Sequence, residues 1–437
     1  LIAGGLARAS HFTAEASVDT LLAALDGLAL RPAQARTAVP GDLGPPSLAA
    51  TASTWERELD HILARHPSPR EVVVMPPTVY WNTPVFQRPN QMALALARAG
   101  CLVFFCEPSV GTPLEPGFHP IAEGLYVANV PVVTFRALDD PLVLTLAYHE
   151  ADLAKLGLVR VVYEVIDELE VLPGDLAELQ RAHVRMAATA TVVTATAGRL
   201  LDKIRLLRPD AVLSPNAVDY QFIHSAAAAA DEPPSDLQPC LGGGPVVGYY
   251  GALARWVDHD LLHAVAAARP NWQLVLIGPT LDETFERSRL AELPNVHWLG
   301  PRPYHRLPAY LRHFDVATIP FVVSETTHAV SPLKLFEYMA AGKPVITTPL
   351  EECLRVPEVL AAANATDFCR QIERALELRA DAGFVDRLHA QARAHTWDQR
   401  AIDLLDAVRR AHTSAITAAA QLAERTQRVR SFVGSLR

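Results

Sequence analysis

At 437 residues, half of them hydrophobic, the chain exceeds the length at which one core keeps growing and carries apolar material for two domains. Its net charge of −9, from 39 basic and 48 acidic residues, and the lack of any lysine or arginine run argue against a nucleic-acid partner, so phosphate would be bound locally. The five cysteines, at 101, 106, 240, 353 and 369, form no close metal-type pair and read as reduced, packed residues of a cytosolic protein. Neither a membrane-length apolar run nor a signal-peptide pattern is expected. A start at Leu1 rather than methionine fits a trimmed chain or part of a longer polypeptide.

Residues 1–68 hold helical patterns at about 14–29 and about 51–65 around a Pro- and Gly-rich loop and read as a helical appendage or linker. From Glu71 short apolar runs alternate with longer periodic segments, the pattern of βαβ units. Strands are predicted at Val72 to Met75, Leu102 to Cys106, Val161 to Ile166 and Thr191 to Thr194, with a helix over about 88–99. They make a first domain over 69–235. The polar, Ala- and Pro-rich stretch Ser225 to Pro245 reads as the interdomain connection. A second domain, 236–396, has strands at Val246 to Tyr250, Gln273 to Ile277, His297 to Leu299, Val316 to Ile319 and Val345 to Thr347. The tail over 397–437 begins as a helix at Trp397 that packs back on the body and ends in a frayed, basic stretch from Arg425. The fold class is α/β, two doubly wound Rossmann-like parallel-sheet domains whose strand ends face a common cleft, where such folds bind ligands.

The most informative segment entering that cleft is Ser331 to Ile346. Ser331 suits an N-cap, Pro332 a first helical position and Gly342 the position just past the end, and Pro344 stops the helix. Lys334 then falls in the first turn, where the helix dipole disfavours a cation by up to about 1 kcal/mol. An anion reverses that sign: free helix-start N–H groups and a lysine make a phosphate site. Glu337, on the same face, is placed to accept hydrogen bonds from ribose hydroxyls. The competing reading is an i,i+3 surface pair worth about 0.2–0.5 kcal/mol.

Other candidates carry competing structural readings. Arg88 precedes Pro89 at a helix start and suits a donor phosphate, an acidic acceptor or a structural ion pair. Trp81 suits stacking on a sugar ring or burial. Asp167 follows an apolar run, placing a carboxylate at a strand's cleft end where it positions or deprotonates an acceptor hydroxyl, or caps a helix. His149 is a weaker acceptor-side candidate, being one of 16 histidines.

Gly248-Tyr-Tyr-Gly251, Leu276-Ile-Gly-Pro279, Asn295 to Gly300, Leu307 to Leu311, Asp315 to Phe321 and Ser331 to Ile346 resemble, in order and spacing, the donor domain of GT-B glycosyltransferases, most like family 4. Ser214-Pro-Asn-Ala-Val-Asp219 is similar to the segment that ends the acceptor domain in such enzymes. Gln87-Arg-Pro89, with Ala93 and Leu96-Ala97, resembles a bacterial branch associated with cell-surface polysaccharide and teichuronic-acid synthesis. The resemblance covers roughly residues 70–410 and offers nothing for 1–68.

The resemblance implies a donor site of Gly251, Arg255, Gly278, Arg302, Ser331, Pro332, Leu333, Lys334 and Glu337. Glu337 matches the second glutamate of a Glu-x7-Glu motif, the ribose binder, whereas the first falls at Ala329, so Glu325 or His328 is the candidate substitute, grouped with Asp167 as catalytic. In the glycine loop the family arginine and lysine positions are Ala252 and Val257, leaving Arg255 to compensate. Asp258-His259-Asp260 imitates a metal motif of the other major glycosyltransferase fold, but Asp260 reads better as a helix cap, so no metal and no cofactor is expected.

The implied function is retaining, metal-independent transfer of a hexose-type sugar from a nucleotide diphosphate donor to a hydroxyl of a cell-surface glycan or lipid-linked acceptor. The expected location is cytoplasmic or peripheral at the inner face of the membrane, with further domains or a homodimer open as partners. The alternatives are a sugar-nucleotide epimerase of the same architecture and a degenerate module serving as a scaffold in a larger synthase.

Overall fold

The computed structural model describes residues 47–83, 85–108, 114–157, 159–229 and 232–413. The helix expected at 14–29 and the basic tail expected from Arg425 lie outside them.

Two sheets organise the chain. The first runs β3-β4-β2-β1-β5-β6-β7-β8, with β1 at Val72–Met75, β2 at Leu102–Cys106, β3 at Gly117–Ala122, β4 at Leu125–Asn129, β5 at Leu142–Thr145, β6 at Arg160–Val165, β7 at Val192–Ala195 and β8 at Val212–Leu213. All pairings are parallel except β3 with β4. The second runs β11-β10-β9-β12-β13-β14 and is wholly parallel. Its strands are β9 at Val246–Tyr250, β10 at Gln273–Ile277, β11 at Val296–Trp298, β12 at Val316–Ile319, β13 at Val345–Thr347 and β14 at Leu360–Ala361. Central strands such as β2, β5, β9 and β12 are buried along their whole length, because crossover helices cover both faces and continuous apolar runs then replace alternation. In each sheet the winding reverses beside the first strand, between β1 and β5 and between β9 and β12. Ligands bind at such reversals.

The strands expected from sequence appear within a residue or so of their predicted limits. The β3–β4 hairpin, β5, β8 and β14 were not foreseen; β8 and β14 are only two residues long. The hairpin also changes the standing of the segment read as an appendage. Helix α1, Ser47–Arg65, buries Leu59 and Ile62 against Phe104, Phe118 and Phe135, so its described part is a layer of the first domain.

The boundary moves as well. Val218 and Ile223 already belong to the second core, so the chain crosses at Ser214 to Val218 rather than near residue 235. It returns at the end: Trp397, Ala401, Leu404 and Leu405 pack with Met92 and Leu96 of α2, Arg88–Arg98, in the first domain.

Candidate donor site

Three further helices border the cleft. They are α3 at Gly198–Arg205 in the first domain, and α4 at Glu325–His328 and α5 at Leu333–Ala340 in the second. Helix α5 begins one position later than expected. Pro332 is its N-cap and contributes no side-chain cap, while Ser331 Oγ accepts the Asn216 N–H at 3.2 Å. The first-turn N–H groups at Leu333 and Lys334 therefore have no partner within the helix. Gly342 follows the helix at φ +66°, and its N–H donates to Met339 O at 2.9 Å, as a C-terminal glycine should.

Lys334 crosses the end of β9. Its Nζ lies 5.3 Å from the centre of the Tyr249 ring and 5.0 Å from that of Phe321, a cation held on two aromatic faces. Among the described residues no carboxylate pairs with it. Desolvation pulls its pKa down to about 8, against the opposing pull of Glu337. Gly251, at φ +137°, admits this side chain: a Cβ there would sit 2.9 Å from Lys334 Cε. Gly278, at φ +152°, brings the next loop so close that a Cβ would meet Gly251 O at 1.9 Å.

Glu337 is buried and its Oε2 accepts the Tyr250 hydroxyl at 2.7 Å. Burial pushes its carboxyl up to about 7, opposed by the Tyr250 and Tyr304 hydroxyls and by Lys334. A cavity is lined by Gly251, Gly278, Arg302, Leu333, Lys334 and Glu337 of the second domain, with Tyr250, Tyr304 and the first-domain residue Phe86. Phe86 stacks on Tyr304 at 5.0 Å. The site thus combines an unpaired cation, free helix-start amides and a recessed carboxylate, the chemistry of a diphosphate next to a diol.

Of the other donor-side candidates, Arg302 lines the cavity but is tied to Asp236 and donates to the Tyr310 hydroxyl at 2.9 Å. Arg255 is exposed; its backbone N–H donates to Asp282 at 3.0 Å and its side chain lies outside the cavity lining. Glu325 pairs with Arg199 of α3, across the cleft, and His328 Nδ1 lies 3.8 Å from Glu351. Ala329 is buried among first-domain residues, where a glutamate would be a desolvated charge. Asp258, not Asp260, caps the helix that follows it, accepting the Leu261 N–H at 2.8 Å.

On the first-domain side, Asp167 is half-buried just past β6, and burial, with Glu168 adding, pushes its carboxyl up to about 7. His149 is fully engaged. Its Nδ1 accepts the Leu146 N–H at 3.2 Å and its Nε2 donates to Pro77 O at 2.9 Å, while burial draws its pKa down to about 4. The neutral ring ties the loop after β1 to the end of β5 and has no nitrogen left for an acceptor. Trp81 packs edge-on against Phe86 and Phe105. Arg88 is buried in an ion pair with Glu164 at 2.6 Å, away from the cavity lining. Sequence reasoning gave no individual role to Asn216, Phe86, Tyr304 or the interdomain acid Glu352, which accepts the Gly198 N–H at 2.7 Å; each acts through a partner remote in sequence.

Two facing, doubly wound domains with this site at the reversal of the second sheet define a GT-B architecture. Residues 244–378, in the second domain, match the family Glycosyl transferases group 1. It is 31% identical over 191 residues, 42% of its own length, to a putative teichuronic acid biosynthesis glycosyltransferase, TuaH, of Bacillus subtilis. The match spans about half of that relative, 47%. Sucrose-phosphate synthase from Thermosynechococcus elongatus superposes with TM-score 0.60 at 17% identity, covering 79% of this chain and all of that one. HepE of Anabaena, in complex with UDP and glucose, superposes with TM-score 0.57 at 16% identity, covering 77% of this chain and 99% of that one. At such identities the likeness is one of fold.

Proposed function

We propose that this protein is a glycosyltransferase that moves a hexose-type sugar from a nucleotide diphosphate sugar to a hydroxyl of a cell-surface glycan or lipid-linked acceptor. The observation that carries the reading is Lys334, a cation without a carboxylate partner at a helix start, three residues before the recessed Glu337. The lysine and the amides stabilise charge on the departing diphosphate, a contribution that grows as leaving-group charge develops in the transition state. That positive charge does the work a divalent ion does elsewhere, so the reading is metal-independent. Glu337 takes the ribose diol. Asp167, just past the end of β6 on the first-domain side, orients the acceptor hydroxyl, and transfer on the leaving-group face retains configuration. The TuaH similarity and the UDP bound to HepE support a nucleotide-sugar donor and an envelope glycan as acceptor. No helix among the described residues is long and apolar enough to cross a membrane; peripheral action at its inner face belongs to the same proposal.

Replacing Lys334 and Glu337 separately with alanine and titrating nucleotide diphosphate sugars by calorimetry tests this. Each change weakens binding; unchanged affinity in both overturns the donor site. A second reading, a degenerate scaffold module, is favoured by Ala329, packed where the family's sugar-binding glutamate is expected. Release of free nucleotide from donor upon addition of acceptor separates the two.

A further inference from the structure

Two arginines bind the crossings between the domains, Arg400 of the returning segment, which donates to Pro215 O at 3.2 Å, and the buried Arg88. The outgoing segment at Val218 pairs with the returning one, its N–H donating to His395 O at 3.0 Å and its carbonyl accepting the Trp397 N–H at 3.2 Å. Beneath them Arg88 donates to Ser214 Oγ at 3.0 Å, Pro215 O at 3.4 Å and Asn216 Oδ1 at 3.3 Å, with Glu164 neutralising it and the Trp397 ring centre 5.7 Å away. Arg88 has donors only, so it orients the Asn216 amide with oxygen inward and nitrogen outward.

The outward nitrogen reaches the second domain. Asn216 Nδ2 donates to Ser331 O at 2.6 Å and Asn216 N donates to Ser331 Oγ at 3.2 Å, and both residues are buried. Ser331 immediately precedes Pro332, the N-cap of α5. The hydroxyl and the carbonyl of Ser331 are thus both held from the crossing segment, and its carbonyl sets the peptide plane from which the Leu333 and Lys334 amides follow.

Resting on the donor-site reading above, we infer that Asn216, oriented by Arg88, is a positioning residue for the diphosphate. It fixes the helix-start amides from the interdomain hinge. It acts through Ser331 and touches no substrate itself. Glu337 and Gly278 reach the cavity by other routes, so the effect is confined to the phosphate end of the ligand.

The test uses the full chain. UDP, GDP and dTDP are titrated by calorimetry, and the one that binds is compared with its own monophosphate in the unmodified protein, Asn216→Asp and Ser331→Ala. Asn216→Asp keeps size and the Arg88 contact but removes the donor to Ser331 O. It lowers diphosphate affinity about ten-fold and leaves monophosphate affinity within about two-fold. Ser331→Ala, the milder change, gives the same selectivity with a loss of about three-fold and keeps the test decisive if Asn216→Asp folds poorly. A diphosphate-to-monophosphate ratio unchanged in the folded variants overturns the inference alone, provided the unmodified chain binds and Lys334→Ala weakens that binding. Failure of the unmodified chain to bind any of the three diphosphates overturns the donor-site reading and this inference with it.

Discussion

The Tyr250 hydroxyl donates to Glu337 Oε2 across 2.7 Å, joining the end of β9 to the helix that carries Lys334. The bond fixes the carboxylate before any ligand arrives, and it does so in a place from which water is largely excluded. Preorganisation of this kind lowers the ordering cost of binding at the expense of folding stability.

Glu337→Gln is therefore expected to stabilise the fold while weakening donor binding. The folded-state pKa of Glu337, about 7, lies above the ordinary glutamate value of 4.5, so the native protein loses stability as pH rises through that window. The variant escapes that loss. It should melt higher than the unmodified protein at about pH 8, by up to about 3 kcal/mol or several degrees, and match it at about pH 4. Equal melting differences at both pH values would show that the carboxylate is not desolvated as described.

Lys334 sets the alkaline limit of binding. Its pKa in the free protein is about 8, and an anion binds the protonated form. Diphosphate affinity should hold below about pH 7 and fall above about pH 8, approaching about ten-fold per pH unit. Lys334→Arg should lack the fall above about pH 8, because guanidinium does not titrate there and Glu337 is already ionised in both proteins. Calorimetry across that range checks both.

Gly278→Ala should remove the cavity rather than tune it. The backbone conformation at φ +152° is one that L side chains rarely adopt, and the new Cβ would lie 1.9 Å from a backbone oxygen that has no flexible end to move. A loss of about 3 kcal/mol or more is expected, read as a lowered melting temperature together with lost nucleotide binding.

Arg88→Ala strands Glu164 as a buried, unpaired charge, with a loss of about 3–5 kcal/mol. Replacing both, Arg88→Met with Glu164→Met, should recover much of that stability because the uncompensated charge is gone. Thermal melts of the single and double variants check the recovery, and the double variant should still show the diphosphate-selective weakening, since Asn216 has lost its orienting partner.

The contrast between α5 and Arg88 shows how far the sequence can be read. Ser331 to Pro344 carries its own stop signals and its misplaced lysine within one turn of the helix, so the helix, the free amides and the Lys334 and Glu337 side chains sharing a face were legible. Even there the cap was misread. The Ser331 hydroxyl instead accepts the N–H of Asn216, 115 residues away in sequence. The strands of both sheets were legible for a similar reason, since burial on both faces leaves an unbroken apolar run. The β3–β4 hairpin was not: β3 is exposed over half its length and leaves little apolar signal.

What the sequence by itself determined is local: the alternation of strand and helix, the glycines that end β9 and β10, and the chemistry gathered at the start of α5. Periodicity, capping and backbone restriction act over a few residues and leave their mark in consecutive letters. What only the tertiary structure decided is partnership. It turned Arg88 from a phosphate candidate into the buried partner of Glu164, closed both nitrogens of His149 against backbone, and set Tyr250 on Glu337 and Asn216 on Ser331. Those choices depend on which strands become neighbours and on how much water is left between them. Desolvation also moved Lys334 and Glu337 towards neutrality; it follows from three-dimensional burial, which one-dimensional spacing does not encode.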